Sequence, residues 1–283
     1  MTKKAVLIND LSALGKCSLT AAIPVLSVMG IQACPMPTAV LTSQTGFKSF
    51  YCNDCTDKLD YYTSEWKKLG FQPDGIYTGF LSSEKQVDKI LDFINSFETE
   101  NTLVLVDPVM GDGGRTYSLF TDTLACKMKK LVTVADVITP NLTECCILCD
   151  IDYSDFIKSA DDPDFMDKVA ELGKSLLKRY GVKIVIITGI EHKSADGTVN
   201  VQNLIASEDE IFTVSCKKIG GSYSGTGDLF ASVMFSGLLR GDTLRDTVSL
   251  AVKFIETSLR DTVALGIDRN EGIEFEKHLK TLL

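Results

Sequence analysis

Strand-like runs at about 4–9, 33–41, 74–78, 102–106, 135–139 and 183–188 alternate with helix-like stretches near 18–29, 56–69, 84–97, 118–130, 141–149 and 164–180. This alternation limits the fold more than any other feature of the chain. Strands that alternate with helices pair in parallel, because each helix carries the chain back across the sheet to start the next strand. Two of the runs, Leu103-Val104-Leu105-Val106 and Ile184-Val185-Ile186-Ile187, are apolar throughout. A strand with no polar face has to be covered on both sides, so these are expected at the centre of a sheet with helices on each face.

The pattern then changes. Segments 197–205 and 210–216 alternate apolar and polar residues and flank Glu208-Asp209-Glu210, which reads as a hairpin. Helical spacing closes the chain from about 226 to 281. Pro24 falls inside the first helical stretch, where a missing N–H and a ring clash are expected to kink or break it. A length of 283 residues, with no low-complexity linker or internal repeat, fits one compact domain over 1–283.

Composition bears on what the chain can meet. A net charge of −9 argues against a broad nucleic-acid surface while leaving room for a local basic pocket. No apolar run is long enough to span a membrane, and Met1-Thr2-Lys3-Lys4 leads straight into a strand rather than a signal core. The nine cysteines read as reduced thiols of a cytoplasmic protein. Cys52/Cys55 and Cys146/Cys149 have metal-ligand spacing, but a zinc site needs four convergent ligands, and Cys146 and Cys149 lie in an apolar helical stretch.

In open parallel sheets ligands bind beyond the carboxyl ends of the strands. Those ends here carry Asn9-Asp10, Thr78-Gly79, Asp107-Pro108, Thr139-Pro140-Asn141 and Thr188-Gly189. The most informative segment is Gly220-Gly221-Ser222-Tyr223-Ser224-Gly225-Thr226-Gly227-Asp228, followed by a helical pattern from Leu229 to Leu238. A glycine-rich loop that feeds a helix N-terminus offers free N–H groups and a favourable dipole to an anion. Asp228 would repel a phosphate there, so a purely anion-binding loop gains nothing from it. A base that takes a proton from an attacking hydroxyl does need a carboxylate at that place.

Asn141-Leu142-Thr143-Glu144 has the spacing of a capping box. The same glutamate suits Mg²⁺, which takes one or two carboxylates together with waters and phosphate oxygens; Asp107 and Asp112 are candidates to complete the set. Gly15-Lys16-Cys17-Ser18 resembles the end of a P-loop, but the first glycine is missing at the required spacing and Cys follows Lys. The only histidines, His192 and His278, follow no strand end and read as surface residues.

Taken in order, Thr42-Ser43-Gln44-Thr45-Gly46, Thr78-Gly79-Phe80-Leu81, Asp107-Pro108-Val109-Met110-Gly111-Asp112, Ile138 to Glu144 and Gly225-Thr226-Gly227-Asp228-Leu229-Phe230 resemble the ribokinase-like superfamily, and within it the pyridoxal kinases. The likeness runs from Ile8 to about Thr262. It implies a three-layer α/β/α fold around a mostly parallel central sheet, and transfer of the γ-phosphate of ATP to the 5′-hydroxyl of a vitamin B6 vitamer. It implies Asp228 as base, with the amides of Gly225, Thr226 and Gly227 as an anion hole. Asp10, Thr45, Gly46 and Phe80 are implied as substrate contacts. Asp107, Asp112, Thr139, Glu144, Thr188, Lys218 and Thr226 are implied on the ATP side, with Mg²⁺ at Asp107 and Glu144. The cofactors are then ATP and Mg²⁺, with a monovalent cation left open, and the assembly a homodimer that engages a small molecule, no nucleic acid and no membrane.

Two departures stand out against that resemblance. Phe80 occupies a place where the family usually has Tyr, and Asp10 a place where familiar pyridoxal kinases have Ser. The second bears on which vitamer is preferred, since a carboxylate pairs with a protonated ring nitrogen or an amino group. The alternative within the fold is a hydroxymethylpyrimidine (phosphate) kinase, which usually shows Cys at the position of Asp228. The alternative from another class is a non-catalytic nucleotide- or vitamer-binding protein. Loops 111–118, with Gly111, Gly113 and Gly114, read as a lid or as an unordered surface loop.

Overall fold

The computed structural model describes residues 1–117, 121–193 and 197–283. It divides into two compact units, one made of residues 1–103 and 219–283, the other of residues 104–218. In chain order the first unit opens with β1 (Lys4–Ser12), α1 (Ser18–Val28), β2 (Gln32–Leu41), β3 (Cys52–Asp54), α2 (Leu59–Lys68), β4 (Gly75–Thr78) and α3 (Glu84–Phe97). The second follows with β5 (Leu103–Val106), β6 (Gly111–Asp112), β7 (Arg115–Thr116), α4 (Asp122–Val132), β8 (Val137–Ile138), α5 (Leu142–Cys149), α6 (Tyr153–Phe156), α7 (Phe165–Tyr180), β9 (Ile184–Lys193), β10 (Val199–Ser207) and β11 (Ile211–Lys217). The chain then returns to the first unit with α8 (Thr226–Arg240) and α9 (Leu244–Leu265).

Within the first unit β1 pairs in parallel with β2 on one side and β4 on the other, and β3 adds an antiparallel edge to β2. Ala5, Val6, Leu7 and Ile8 are fully buried, as a central strand covered on both faces must be. Between Asn9 and Leu11 the register slips: Asn9 faces Pro37 and Leu11 faces Val40, so Thr38 and Ala39 of β2 stand against the single residue Asp10. A bulge of this kind re-aims side chains at a strand end. In the second unit β5, β8 and β9 are parallel, and β10 and β11 continue from β9 as an antiparallel pair around the turn expected at Glu208–Glu210. The architecture is therefore α/β with mostly parallel strands flanked by helices.

Local rules account for most boundaries. Ser83 caps α3 by accepting the Gln86 N–H, and Val87, Ile90, Phe93, Ile94 and Phe97 recur with helical spacing on its buried face. α7 ends at Gly181, which takes the left-handed conformation favoured past a helix terminus. α8 is buried on nearly every side, from Leu229 to Leu239, which explains why its sequence shows little polar stripe. Pro24 does not break α1, which runs unbroken from Ser18 to Val28. Its place in the middle of an 11-residue helix costs one backbone hydrogen bond, and buried Ala21, Ala22, Val25 and Leu26 hold the segment by packing instead.

Other expectations are corrected in detail. Strand β8 is only Val137–Ile138, shorter than the run at 135–139, whereas β9 extends to Lys193. β3 carries no strand signal of its own, because its residues are exposed and its pairing is supplied by β2. The segment expected as lid or unordered loop contains the β6–β7 hairpin, closed by Gly113 and Gly114 at φ 57° and 78°. Ser118, the last residue of that expectation and the first of the helix expected at 118–130, lies outside the described residues. Among the described residues no helix is long and apolar enough to cross a membrane.

Candidate active site

The first unit gathers its polar residues around the start of α8. Gly225 precedes that helix at φ 81°, and a Cβ there would lie 1.9 Å from the Lys16 carbonyl oxygen, so only glycine fits. Asp228 follows in the first turn. Its carboxylate accepts a hydrogen bond from the Asn9 side chain, Nδ2 to Oδ1 at 3.1 Å, and another from the Ser18 backbone N–H. Burial pushes its pKa up from the ordinary 3.8 to about 6; the negative charge of Asp10 adds to the rise, and the two hydrogen bonds oppose it. The residue is itself half-buried, so solvent tempers the desolvation.

Asn9 ties this carboxylate to two strand ends. Its Oδ1 accepts the backbone N–H of Asp10 and that of Phe80, both at 2.9 Å. Gly79 makes that approach possible, since a Cβ there would fall 2.2 Å from Asn9 Nδ2. Asp10 is buried, and its two oxygens accept the hydroxyls of Ser18 at 2.6 Å and Ser12 at 2.7 Å. Burial raises the Asp10 pKa, against the pull of those hydroxyls. Ser18 has φ 50°, a left-handed conformation that costs an L-residue about 1–2 kcal/mol. The neighbouring Cys17 thiol is pushed up to about 12 by burial and then by the charges of Asp228 and Asp10, so it is a neutral thiol.

Gln44 orders the next loop. Its Oε1 accepts the Gly46 N–H at 2.7 Å, while its Nε2 donates to the Asn270 carbonyl at 2.9 Å and to Ser224 Oγ at 3.3 Å. Thr45 and Gly46 are exposed in this turn. Thr226 donates through Oγ1 to the Tyr223 carbonyl, and a Cβ on Gly227 would meet nothing within 4 Å, so the first turn of α8 is open there.

The second unit holds a carboxylate pair. Glu144 is buried in the first turn of α5 and forms the expected capping box: Asn141 Oδ1 accepts the Glu144 N–H, and Glu144 Oε2 accepts the Asn141 N–H. Its Oε1 accepts the Met110 N–H at 3.0 Å. Burial and then the charge of Asp107 hold its pKa well above the usual carboxylate range. A divalent cation would offset both effects, and two oxygen donors are what Mg²⁺ asks of a protein that leaves its remaining positions to water and phosphate. Because backbone amides already occupy Glu144, the fit is to a contact through water. Thr139 is buried with its hydroxyl unpartnered, and Thr188 bridges to Asn141 beside it. Asp112 turns back on the Gly113 N–H, and Lys218 pairs with Glu191 at 2.6 Å. His278 is half-buried against Asp261 rather than fully at the surface.

The phosphomethylpyrimidine kinase family matches residues 19–272. The chain belongs to that family. A Bacteroides thetaiotaomicron protein provisionally named as a phosphomethylpyrimidine kinase, crystallised with pyridoxal, is 38% identical with a TM-score of 0.91, over 100% of this chain and 96% of that one. A Schizosaccharomyces pombe protein provisionally named as a pyridoxal kinase is 29% identical over 71% of this chain and 57% of its own length. The Haemophilus influenzae hydroxymethylpyrimidine/phosphomethylpyrimidine kinase is 27% identical, over 70% of each chain. Family members thus carry both substrate names.

Against this family background the sequence reading missed Asn9, Ser12 and Ser18 as members of the site. Asn9 was visible as a strand-end polar residue. Ser18 lay in the stretch set aside as a failed P-loop. That stretch is not a phosphate loop, yet its Lys16 carbonyl packs on Gly225 and its Ser18 reaches both Asp10 and Asp228.

Proposed function

We infer that the protein transfers the γ-phosphate of ATP to the 5′-hydroxyl of a vitamin B6 vitamer. The observation that carries this reading is Asp228: a carboxylate in the first turn of a glycine-led helix, held by two donors and lifted to about 6. Near neutral pH it is ionised and still basic enough to accept a proton from an alcohol as the alcohol attacks. The hydroxyl oxygen forms its bond to the γ-phosphorus, the bond from that phosphorus to the bridging oxygen of ADP breaks, and the proton passes to Asp228. The first-turn amides of Gly225, Thr226 and Gly227 stabilise charge on the migrating group. Mg²⁺, when bound through Asp107 and Glu144, supplies charge neutralisation on the nucleotide phosphates.

The likeness to a protein crystallised with pyridoxal supports the vitamer as acceptor. Asp10, Thr45, Gly46 and Phe80 are the residues we assign to it, and Thr139, Thr188, Asp112 and Lys218 to the nucleotide. Hydroxymethylpyrimidine is the second candidate, favoured by the Haemophilus relative. Initial rates of ADP formation with pyridoxal, pyridoxine, pyridoxamine and hydroxymethylpyrimidine decide between them. Asp228→Asn is expected to lower kcat by about 10²–10⁴-fold, the range of a positioned acid–base group. Near-normal turnover in that variant removes Asp228 from the role.

A further inference from the structure

Four hydrogen bonds close a ring at the end of β1. The Asp10 N–H donates to Asn9 Oδ1, Asn9 Nδ2 donates to Asp228, the Ser18 N–H donates to Asp228, and Ser18 Oγ donates to Asp10 Oδ1. One member of the ring is in a conformation it does not choose by itself. Only Ser18 and Asp150 have positive φ among the described non-glycine residues. Asp150 ends α5, where a left-handed residue is a usual helix terminator. Ser18 instead opens α1, and a helix start asks for no such geometry. Something outside the helix has to hold it.

The Asp10 carboxylate is the group in contact. It is buried, it meets Ser18 Oγ at 2.6 Å, and Ser12 Oγ at 2.7 Å fixes its other oxygen. The register slip of β2 lies opposite Asp10, and consecutive residues of β1 serve the same cluster, Asn9 by its amide and Asp10 by its carboxylate. We propose that Asp10 is a positioning residue: it clamps Ser18 in the left-handed conformation and so aims the Ser18 N–H at the Asp228 carboxylate. This rests on Asp228 being the base. It gives Asp10 a role besides any contact with the vitamer ring.

The proposal makes Asp10 act on Asp228 in two opposed ways. Its charge disfavours the Asp228 carboxylate, and the N–H it positions favours it. Among the described residues, the titratable groups facing Asp228 are Asp10 from β1 and Cys17 ahead of α1, and Cys17 stays neutral across the working range. Substitutions on the two sides of one hydrogen bond therefore move the base in opposite directions.

The test is the pH profile of kcat with saturating MgATP and pyridoxal, or whichever vitamer turns over fastest. The wild-type acid limb is expected near pH 6. Asp10→Asn keeps an oxygen for Ser18 and removes the charge, so the limb moves to lower pH. Ser18→Ala keeps the charge but loses the clamp, so the N–H leaves Asp228, the limb moves to higher pH and plateau kcat falls about tenfold. Ser18→Gly accepts a positive φ without a clamp and recovers most of that loss. Limbs that stay in place in both Asp10→Asn and Ser18→Ala, or a glycine variant as impaired as the alanine one, overturn the positioning role. Asp228→Asn is run alongside: if it keeps turnover, the base assignment has failed, whereas an inactive Asp228→Asn with unmoved limbs defeats the clamp alone.

Discussion

A base held at a raised pKa costs the fold something, and the cost can be measured. In the unfolded chain Asp228 titrates near the ordinary 3.8, and in the folded protein near about 6. Between those values the folded form holds a proton that the unfolded form has lost. Stability contributed by that proton is complete below the lower value and disappears as pH rises through the upper one. The gap, at about 1.4 kcal/mol per pH unit, makes an ionised Asp228 a burden of about 3 kcal/mol above pH 6. Residual solvent access makes this a ceiling. Asp228→Asn removes the charge, and its amide oxygen can still accept one N–H. The variant is therefore expected to be more stable than wild type by about 1–3 kcal/mol at pH 8 and indistinguishable from it near pH 3, below the unfolded value. Urea denaturation of both proteins at the two pH values, without nucleotide or vitamer, reads this as a difference in midpoint at unchanged slope. A variant that is no more stable than wild type at pH 8 refutes the argument that burial strains this carboxylate. The same substitution that stops catalysis would then lack its compensating gain.

Gly225→Ala places a methyl group 1.9 Å from the Lys16 carbonyl at a φ of 81°, so the loop must move away from Asp228. A loss of kcat of about 10²-fold or more is expected from initial rates, since displacing reacting groups by an ångström costs that much. Glu144→Gln keeps the size of the side chain but removes the charge next to Asp107. The Mg²⁺ concentration giving half-maximal rate is expected to rise about 10-fold or more in a titration at fixed ATP, with no change expected if the glutamate only caps α5.

Much of the fold was legible in the chain because its determinants are local. The bounds of α3 follow from Ser83 and five apolar residues at helical spacing, and the sheet class follows from strands with no polar face. Asp228 stood out because a carboxylate after a glycine-rich helix start is chemically odd wherever the chain folds. Glu144 was legible twice, as a cap and as a carboxylate, and its backbone contacts satisfy the first reading while its charge beside Asp107 bears on the second.

What tertiary structure alone decided are the links between residues far apart in the chain. Asn9 reaches Asp228 across 219 positions, and Glu144 takes the Met110 amide across 34. The left-handed turn at Ser18 and the register slip opposite Asp10 leave no periodic trace, because each is imposed by a partner strand or carboxylate rather than by the preference of the residue itself. Sequence patterning records what neighbours along the chain prefer. Which distant groups share a proton depends on how the strand ends meet, and that is settled only when the chain is packed.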